Sequence, residues 1–202
     1  MVQTAVTEPR IARLTAEQVH AMLAAGILSE AEPIELIGGV LVYKDRSAFG
    51  EDPRTIGPRH NIAVQLLAAL TTDLAPRGWF VQTQGPLLLP PHDEPEPDGA
   101  VLRGSPRDYA QGLATAADVA CVFEVADSSL AYDRTTKLAL YARAGISQYL
   151  IVNLREDVVE VHEAPSPGAG IYDRRLVVGR DGTVALRVGG AVVDVAVSRF
   201  LP

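Results

Sequence analysis

One carboxylate interrupts the most apolar segment of this 202-residue sequence. Glu124 is the charged residue inside the run Val119–Val125, whose apolar side chains predict a β-strand buried on both faces. An unpaired carboxylate in such a strand costs on the order of several kcal/mol or takes up a proton. Glu124 therefore indicates either a site in which a cation neutralises it or a buried salt bridge to a nearby arginine.

A second carboxylate begins another short apolar segment. Asp98 follows Pro97 and opens the strand predicted for residues 98–102, although Pro-Asp-Gly is also a common turn. If the two strands pair, the carboxylates of Asp98 and Glu124 can converge on one cation. Mg²⁺ typically takes one or two protein carboxylates, with waters and substrate phosphate oxygens completing its shell. The pair is therefore a candidate site for a hard divalent cation.

Lysine is rare in this chain: of the 18 basic residues, two are lysines, Lys44 and Lys137. Lys137 falls on the helix predicted directly after the Glu124 strand, where it shares one face with Arg134 and Tyr141. A lysine ammonium is compact and can approach a reacting water more closely than a guanidinium can. Lys137 is therefore a candidate catalytic residue, and the alternative is a solvated helix face.

These segments, in this order, resemble the Uma-two family of bacterial proteins described as restriction endonucleases, which belongs to the PD-(D/E)xK nuclease superfamily. The resemblance covers roughly residues 15–165 and rests on the combined order and spacing of short motifs. Those motifs are Glu35-Leu-Ile-Gly-Gly-Val-Leu-Val, His60 after Gly-Pro-Arg, Pro97-Asp98, Phe-Glu124-Val, Ser128-Ser129, Asp133-Arg-Thr-Thr-Lys137-Leu-Ala-Leu-Tyr141 and Ala-Gly145-Ile-Ser-Gln-Tyr149-Leu-Ile-Val-Asn.

The resemblance implies a metal site. Asp98 and Glu124 match the family's metal-binding aspartate and glutamate, and the backbone carbonyl of Val125 is implied as a third ligand to Mg²⁺ or Mn²⁺. The superfamily pattern has a lysine two residues after the glutamate, where this chain has Ala126. Lys137 matches the lysine that the family carries on the following helix instead.

Two further residues match characteristic family positions, and their roles stay open. Glu35 is either an additional carboxylate at the metal or a brace for the hairpin that contains it. His60 either orients water or phosphate or caps its own helix. Glu35 and His60 are therefore candidate catalytic residues, together with Asp98, Glu124 and Lys137.

The elements that must position these residues follow from local patterns. Thr15-Ala-Glu-Gln18 has capping-box spacing before a short amphipathic helix that Gly26 ends, and Gly38-Gly39 joins two apolar runs in a hairpin. Helices are predicted for residues 60–74 and for a segment from Ser129 or Asp133 to Ala144. Strands are predicted for residues 79–89 (bent at Gly85-Pro86), 98–102, 118–126, 148–153, 158–162, 171–178 and 183–188, followed by a short apolar segment, 191–197.

This order predicts an α+β (α/β-like) fold with a mixed sheet, and the resemblance implies a restriction-endonuclease-like core whose mixed central sheet is flanked by helices. We expect a leader (1–14), a long loop (44–59) and a single domain (15–202) with a C-terminal β extension (165–202). The 48% apolar and 21% charged residues are typical of a globular protein. The lone Cys121, with no signal peptide or membrane span in the sequence, favours a cytoplasmic protein in which this thiol is a buried apolar residue.

Read together, these residues predict metal-dependent hydrolysis of phosphodiester bonds, and the resemblance implies an endonuclease with DNA as the expected substrate. A net charge of −7 opposes binding to a polyanion and favours the alternative of an inactive nuclease-fold binding or assembly module. A third interpretation, a small-molecule enzyme with Glu124 as general base, requires a closed apolar pocket.

The apolar pairs Val177-Val178 and Val192-Val193 either cover the sheet or form a homodimer seam. Candidate contacts to the DNA backbone are Arg46, Arg54, Arg59, Arg103, Arg107 and Arg134.

Overall fold

A computed structural model describes residues 11–29, 31–44 and 57–202. Most of the predicted leader and of the 44–59 loop, including Arg46 and Arg54, lies outside these residues. The described residues form twelve strands: β1 (Ile34–Ile37), β2 (Val40–Tyr43), β3 (Trp79–Gln82), β4 (Leu87–Leu88), β5 (Gly99–Arg103), β6 (Ala114–Thr115), β7 (Val119–Ala126), β8 (Gln148–Asn153), β9 (Val158–Ser166), β10 (Ile171–Gly179), β11 (Thr183–Val188) and β12 (Ala191–Ala196).

Six of these strands make the central sheet, in the order β10-β9-β8-β7-β5-β3. Strands β7 and β8 run parallel, and every other neighbouring pair in the sheet is antiparallel. The parallel pair requires a crossover, which the helical segment between the two strands supplies. The predicted mixed sheet is therefore confirmed. The smaller pairings are β1 with β2, β11 with β12 and β4 with β6.

Helix α1 (Ala16–Ala24) packs against the β1–β2 hairpin, and the other helices lie on the two faces of the central sheet. These other helices are α2 (Pro58–Ala69), α3 (Thr71–Leu74), α4 (Leu130–Tyr132) and α5 (Leu138–Arg143), with short 3₁₀ turns at Ala75–Arg77, Pro106–Tyr109, Ala116–Asp118 and Val197–Arg199. Helices α2 and α3, the β11–β12 hairpin and Phe200 cover one face, while α5 and Ile37 of the first hairpin cover the other. No described helix has the length and apolar character needed to cross a membrane.

Strand β7 is buried along its whole length, as its composition predicts. Successive side chains point to opposite faces, so Cys121 and Phe123 enter the core beneath α2, and Val122 enters the core beneath α5. Glu124 shares the face of Val122. The strand pattern therefore directs this carboxylate toward α5 and the helical segment that precedes it.

The N-terminal elements follow their local signals. The Thr15 hydroxyl accepts a hydrogen bond from the Gln18 amide and the Gln18 side chain accepts one from the Thr15 amide, so the predicted capping box is present. Gly38 and Gly39 have φ values of 56° and 76°, the left-handed conformation that a two-residue hairpin needs at both positions. This tight turn fixes the register in which Glu35 lies opposite Val42.

The helical crossover after β7 contains a π-helical turn, Asp133–Lys137, between α4 and α5. Sequence periodicity did not predict this turn. Such widened turns add a residue to the helix and frequently occur at functional sites. Here the turn buries the side chains of Asp133 and Lys137 together.

The C-terminal valines divide between the core and the surface. Val193 is buried in the core beneath α2 and Val178 packs against it, whereas Val177 and Val192 are exposed. The alternation of a half-buried strand explains this division. One valine of each pair therefore helps to cover the sheet.

We predict that Phe123→Ala destabilises the domain by about 3–5 kcal/mol, because the ring is fully buried and its removal leaves a cavity beside Phe200. Leu176→Ala removes an exposed apolar side chain of β10 and should change stability by less than about 0.5 kcal/mol. Chemical denaturation followed by circular dichroism measures both changes. Equal losses for the two variants would contradict the described core.

Candidate active site

Asp98 and Glu124 are neighbours at the carboxyl end of β7. Strand β5 pairs antiparallel with β7 so that Gly99 lies opposite Phe123, which sets Asp98 beside Glu124. The Asp98 amide lies 3.4 Å from Glu124 Oε2 and donates to it, and the Val125 amide donates to Asp98 Oδ2 at 2.9 Å. The Asp98 backbone thus contacts the Glu124 side chain, and the charge of Asp98 acts on the Glu124 carboxyl from the adjacent strand.

Lys137 reaches these carboxylates from the π-helical turn. Its Nζ donates to Glu35 Oε1 at 2.7 Å and lies 3.4 Å from Glu124 Oε1. The lysine is 4% exposed, so the pairing takes place away from bulk water. The position two residues after Glu124 holds Ala126, and the helical turn places the Lys137 ammonium beside the Glu124 carboxylate.

Lys137 carries a positive charge in this environment. Burial alone would lower its pKa, but the charges of Glu124 and Glu35 and the hydrogen bond to Glu35 outweigh burial and hold the pKa above its ordinary value. The side chain is therefore a hydrogen-bond donor and a fixed cation, and it is poorly suited to act as a base.

Glu35 joins the site from strand β1. One oxygen, Oε1, accepts both the Lys137 ammonium and the Glu96 amide, the latter at 2.6 Å. The structure thus gives Glu35 a contact that neither sequence interpretation included, because its direct partner is the lysine.

His60 lies in the first turn of α2 and contacts the other carboxylate. Its Nε2 is 3.1 Å from Asp98 Oδ2, while its buried Nδ1 has no hydrogen-bond partner among the described residues. The contact with Asp98 places His60 beside the site, where it can orient that carboxylate.

The pKa of Glu124 is raised from 4.5 to about 8. Burial is the main cause; Lys137 opposes the shift, and the charges of Asp98, Asp133 and Glu35 add to it. The hydroxyl of Tyr141 donates to Glu124 Oε1 at 2.8 Å, one helical turn beyond Lys137. Tyr141 was placed on the same helix face by its spacing, but its contact with Glu124 was not predicted.

Asp133 is a fourth acidic residue of the site; the sequence marks it as a helix-cap candidate and as the first residue of the motif that contains Lys137. It is 3% exposed and accepts a hydrogen bond from the Ser129 hydroxyl at 2.6 Å. Burial raises its pKa to about 6 against the opposing effects of Ser129 and Lys137, and the charges of Asp98 and Glu35 contribute further. Its spacing of four residues from Lys137 was the one available signal.

The site has a surplus of acidic groups, and this surplus fits a bound cation. A single buried ammonium lies 2.7 Å from Glu35 Oε1 and 3.4 Å from Glu124 Oε1, while the charges of Asp98 and Asp133 also act on Glu124 and raise its pKa. Within residues 11–29, 31–44 and 57–202, no three His, Cys, Asp or Glu side chains form a ready-made metal cage. Two carboxylates completed by water and substrate are nevertheless the usual protein contribution to a Mg²⁺ site.

The surroundings of Glu124 argue against two of the sequence interpretations, the structural ion pair with arginine and the small-molecule enzyme. Its partner is a lysine, so the predicted alternative of a structural ion pair with arginine is wrong. Its contacts with Lys137, Tyr141 and the Asp98 amide are polar, which does not match the closed apolar pocket of a small-molecule enzyme.

Several of the predicted backbone-contacting arginines have protein partners. Arg59 donates to the Leu154 carbonyl at 2.9 Å and to Asp157 at 2.8 Å, and Arg134 forms an ion pair with the buried Glu160. Arg103 lies over the Trp79 ring, 5.5 Å from its centroid. Arg107 is exposed in a 3₁₀ turn.

Comparison with solved structures finds a similar fold in a protein from Anabaena variabilis ATCC 29413, described as "a putative nuclease belonging to DUF820". The TM-score is 0.63 with 16% sequence identity, and the match covers 93% of this chain and 97% of that one. At this identity the likeness concerns the fold. No curated protein matches the sequence.

The sequence also matches a family model over residues 28–193. That range includes Glu35, His60, Asp98, Glu124 and Lys137, and therefore every side chain singled out at the candidate site from the sequence. Because the match spans most of the chain, the protein belongs to the Uma2 family, described as "Putative restriction endonuclease".

Proposed function

We propose that this protein is a metal-dependent endonuclease that hydrolyses phosphodiester bonds in nucleic acid, with DNA as the substrate. The observation that carries the proposal is the convergence of Asp98, Glu124 and Lys137 in an acidic site at the end of β7. Membership of a family described as restriction endonucleases supports the same reaction class.

In the proposed site Asp98 and Glu124 hold Mg²⁺ or Mn²⁺, with the Val125 carbonyl as an additional ligand. When bound, the ion supplies Lewis acidity toward the phosphate and the attacking water. The Val125 amide and His60 both hold Asp98 Oδ2, and Tyr141 holds Glu124 Oε1. These contacts limit the rotation of the two carboxylates and so preorganise the pair.

Lys137 supplies the fixed positive charge of the proposed mechanism. Its raised pKa keeps the ammonium protonated, so Nζ can donate to the negative charge that develops on the phosphate. A buried donor of this kind is already oriented before reaction and gains from the low dielectric of its surroundings.

The net charge of −7 favours the second candidate, a nuclease-fold module that binds partners without cleavage. An overall negative field slows the encounter with a polyanion. The two candidates share the fold and differ in one property, the metal-dependent breaking of a phosphodiester bond.

We predict that the purified protein cleaves plasmid or single-stranded DNA with Mg²⁺ or Mn²⁺ and that a chelator abolishes cleavage. Asp98→Asn, Glu124→Gln and Lys137→Met should each lower the rate by about 100-fold or more, since each removes a ligand or a transition-state donor. Gel analysis of the products measures the rates. The matched control is Asp173→Asn, an exposed acid on β10 hydrogen-bonded to Ser166, which should retain the parental rate.

Cleavage that persists in chelator, or site variants as active as the Asp173→Asn control, would contradict the proposed nuclease. Metal binding by the parent without cleavage of DNA or RNA would favour the binding module. Cleavage of RNA alone would retain the mechanism and replace the substrate.

We also predict that Mg²⁺ affinity rises with pH up to about 8, because protons compete with the metal for Glu124, whose pKa lies there. The sign follows from the direction of the shift, since a raised carboxyl pKa keeps the ligand protonated at lower pH. Calorimetric titrations below and above this pH measure the change. In Glu124→Gln the affinity should be low at both pH values, and an unchanged pH dependence in that variant would contradict the assignment.

A further inference from the structure

Lys137 is shared unequally between two buried carboxylates. Its Nζ lies 2.7 Å from Glu35 Oε1, within hydrogen-bonding distance, and 3.4 Å from Glu124 Oε1. The exposed fractions of the three residues are 4% for Lys137, 7% for Glu35 and 6% for Glu124. Charge-assisted hydrogen bonds strengthen at short distance in a low dielectric, and Glu35 is the nearer partner, to which the ammonium donates its hydrogen bond, while Glu124 acts on it mainly through its charge.

The carboxylate of Glu35 is fixed independently of the lysine. The Glu96 amide donates to the same oxygen at 2.6 Å. The hairpin is in turn tied to the segment before Asp98, since the Gly39 amide donates to the His92 carbonyl at 2.7 Å and the Glu94 amide to the Leu36 carbonyl at 2.8 Å. These hydrogen bonds therefore connect the hairpin that carries Glu35 to the segment that leads to Asp98.

This geometry affects whether the Lys137 ammonium or a divalent ion binds the Glu124 carboxylate. An ammonium paired fully with Glu124 would compete with a divalent ion for the same oxygens. A lysine anchored on Glu35 instead stays beside the site and leaves Glu124 accessible to the ion. By holding the ammonium, Glu35 therefore keeps Lys137 and the divalent ion at separate positions, as the proposed reaction requires.

We propose that Glu35 is a positioning residue that holds the Lys137 ammonium away from Glu124, so that a divalent cation and the lysine occupy the site together. This inference rests on the proposed metal-dependent function. It differs from both earlier alternatives for Glu35, because a metal ligand would contact the ion directly and a brace would affect only the hairpin.

A double-mutant cycle on Mg²⁺ affinity tests the inference. Glu35→Gln should weaken Mg²⁺ binding by about tenfold in the parent, because Lys137 then pairs with Glu124 and competes with the ion. In a Lys137→Met background the same substitution should cost less than about threefold, because the competitor is gone. Calorimetric titrations with Mg²⁺ alone, above the Glu124 pKa of about 8, give all four affinities without requiring cleavage.

Asp133→Asn is the matched control for loss of negative charge. This acid is as buried as Glu35, but it is hydrogen-bonded to Ser129 and makes no hydrogen bond to Lys137 among those described. Its substitution should weaken Mg²⁺ binding by factors that differ less between the parent and the Lys137→Met background than those of Glu35→Gln, because the charge of Lys137 acts on Asp133 without a hydrogen bond. A background dependence that is clearly larger for Glu35→Gln supports the positioning role.

If Glu35→Gln lowers the Mg²⁺ affinity equally in both backgrounds, the inference is overturned and Glu35 is a metal ligand. An unchanged affinity together with a lower unfolding midpoint would overturn it in favour of a hairpin brace. Thermal unfolding of every variant identifies those that fail to fold.

A second measurement separates this inference from the proposed function, because it uses no metal. The coupling between Lys137 and Glu124 is obtained by chemical unfolding of Lys137→Met, Glu124→Gln and the double variant, in the parent and in Glu35→Gln. The coupling should increase when Glu35 is neutral, since Lys137 then pairs with Glu124 alone. If it increases while the parent binds no Mg²⁺, the positioning role stands and the metal-dependent function fails. An unchanged coupling would refute the positioning role.

Discussion

The ion pair of Lys137 with two buried carboxylates is the interaction on which the candidate site depends. Removing these charges from water is costly, and the cost is offset only when each charge has close partners. Lys137 has Glu35 at 2.7 Å and Glu124 at 3.4 Å. One ammonium cannot neutralise Glu35, Asp98, Glu124 and Asp133 once all four are ionised, and this surplus of acidic groups is the property of the site that the proposed divalent cation would use.

Three distant parts of the chain must meet for this pair to form. The β1–β2 hairpin carries Glu35, the β5–β7 pairing sets Asp98 beside Glu124, and the π-helical turn after β7 carries Lys137. The turn is itself held to the sheet, since the Tyr149 hydroxyl donates to the Asp133 carbonyl at 3.1 Å and Arg134 pairs with Glu160. Because the lysine comes from this turn, an ammonium lies beside Glu124 although the residue two positions after Glu124 is Ala126.

Local patterns sufficed for much of this arrangement. The continuous apolar run around Glu124 predicted a strand buried on both faces, Gly38-Gly39 predicted the hairpin, and the order of elements predicted a mixed sheet. The widened helical turn and the contacts of Glu35 with Lys137 and of Tyr141 with Glu124 were not predictable in this way. They depend on how segments far apart in the chain pack together, and neither residue type nor periodicity records that packing.

The most direct test of the central claim is a crystal structure of the parent protein grown with saturating Mn²⁺, with the ion located by its anomalous scattering. The proposed site predicts a peak ligated by Asp98 and Glu124, with the Lys137 ammonium retained on Glu35. A map without an ion at these carboxylates, in which Lys137 still contacts Glu124, would contradict a divalent metal centre at the end of β7.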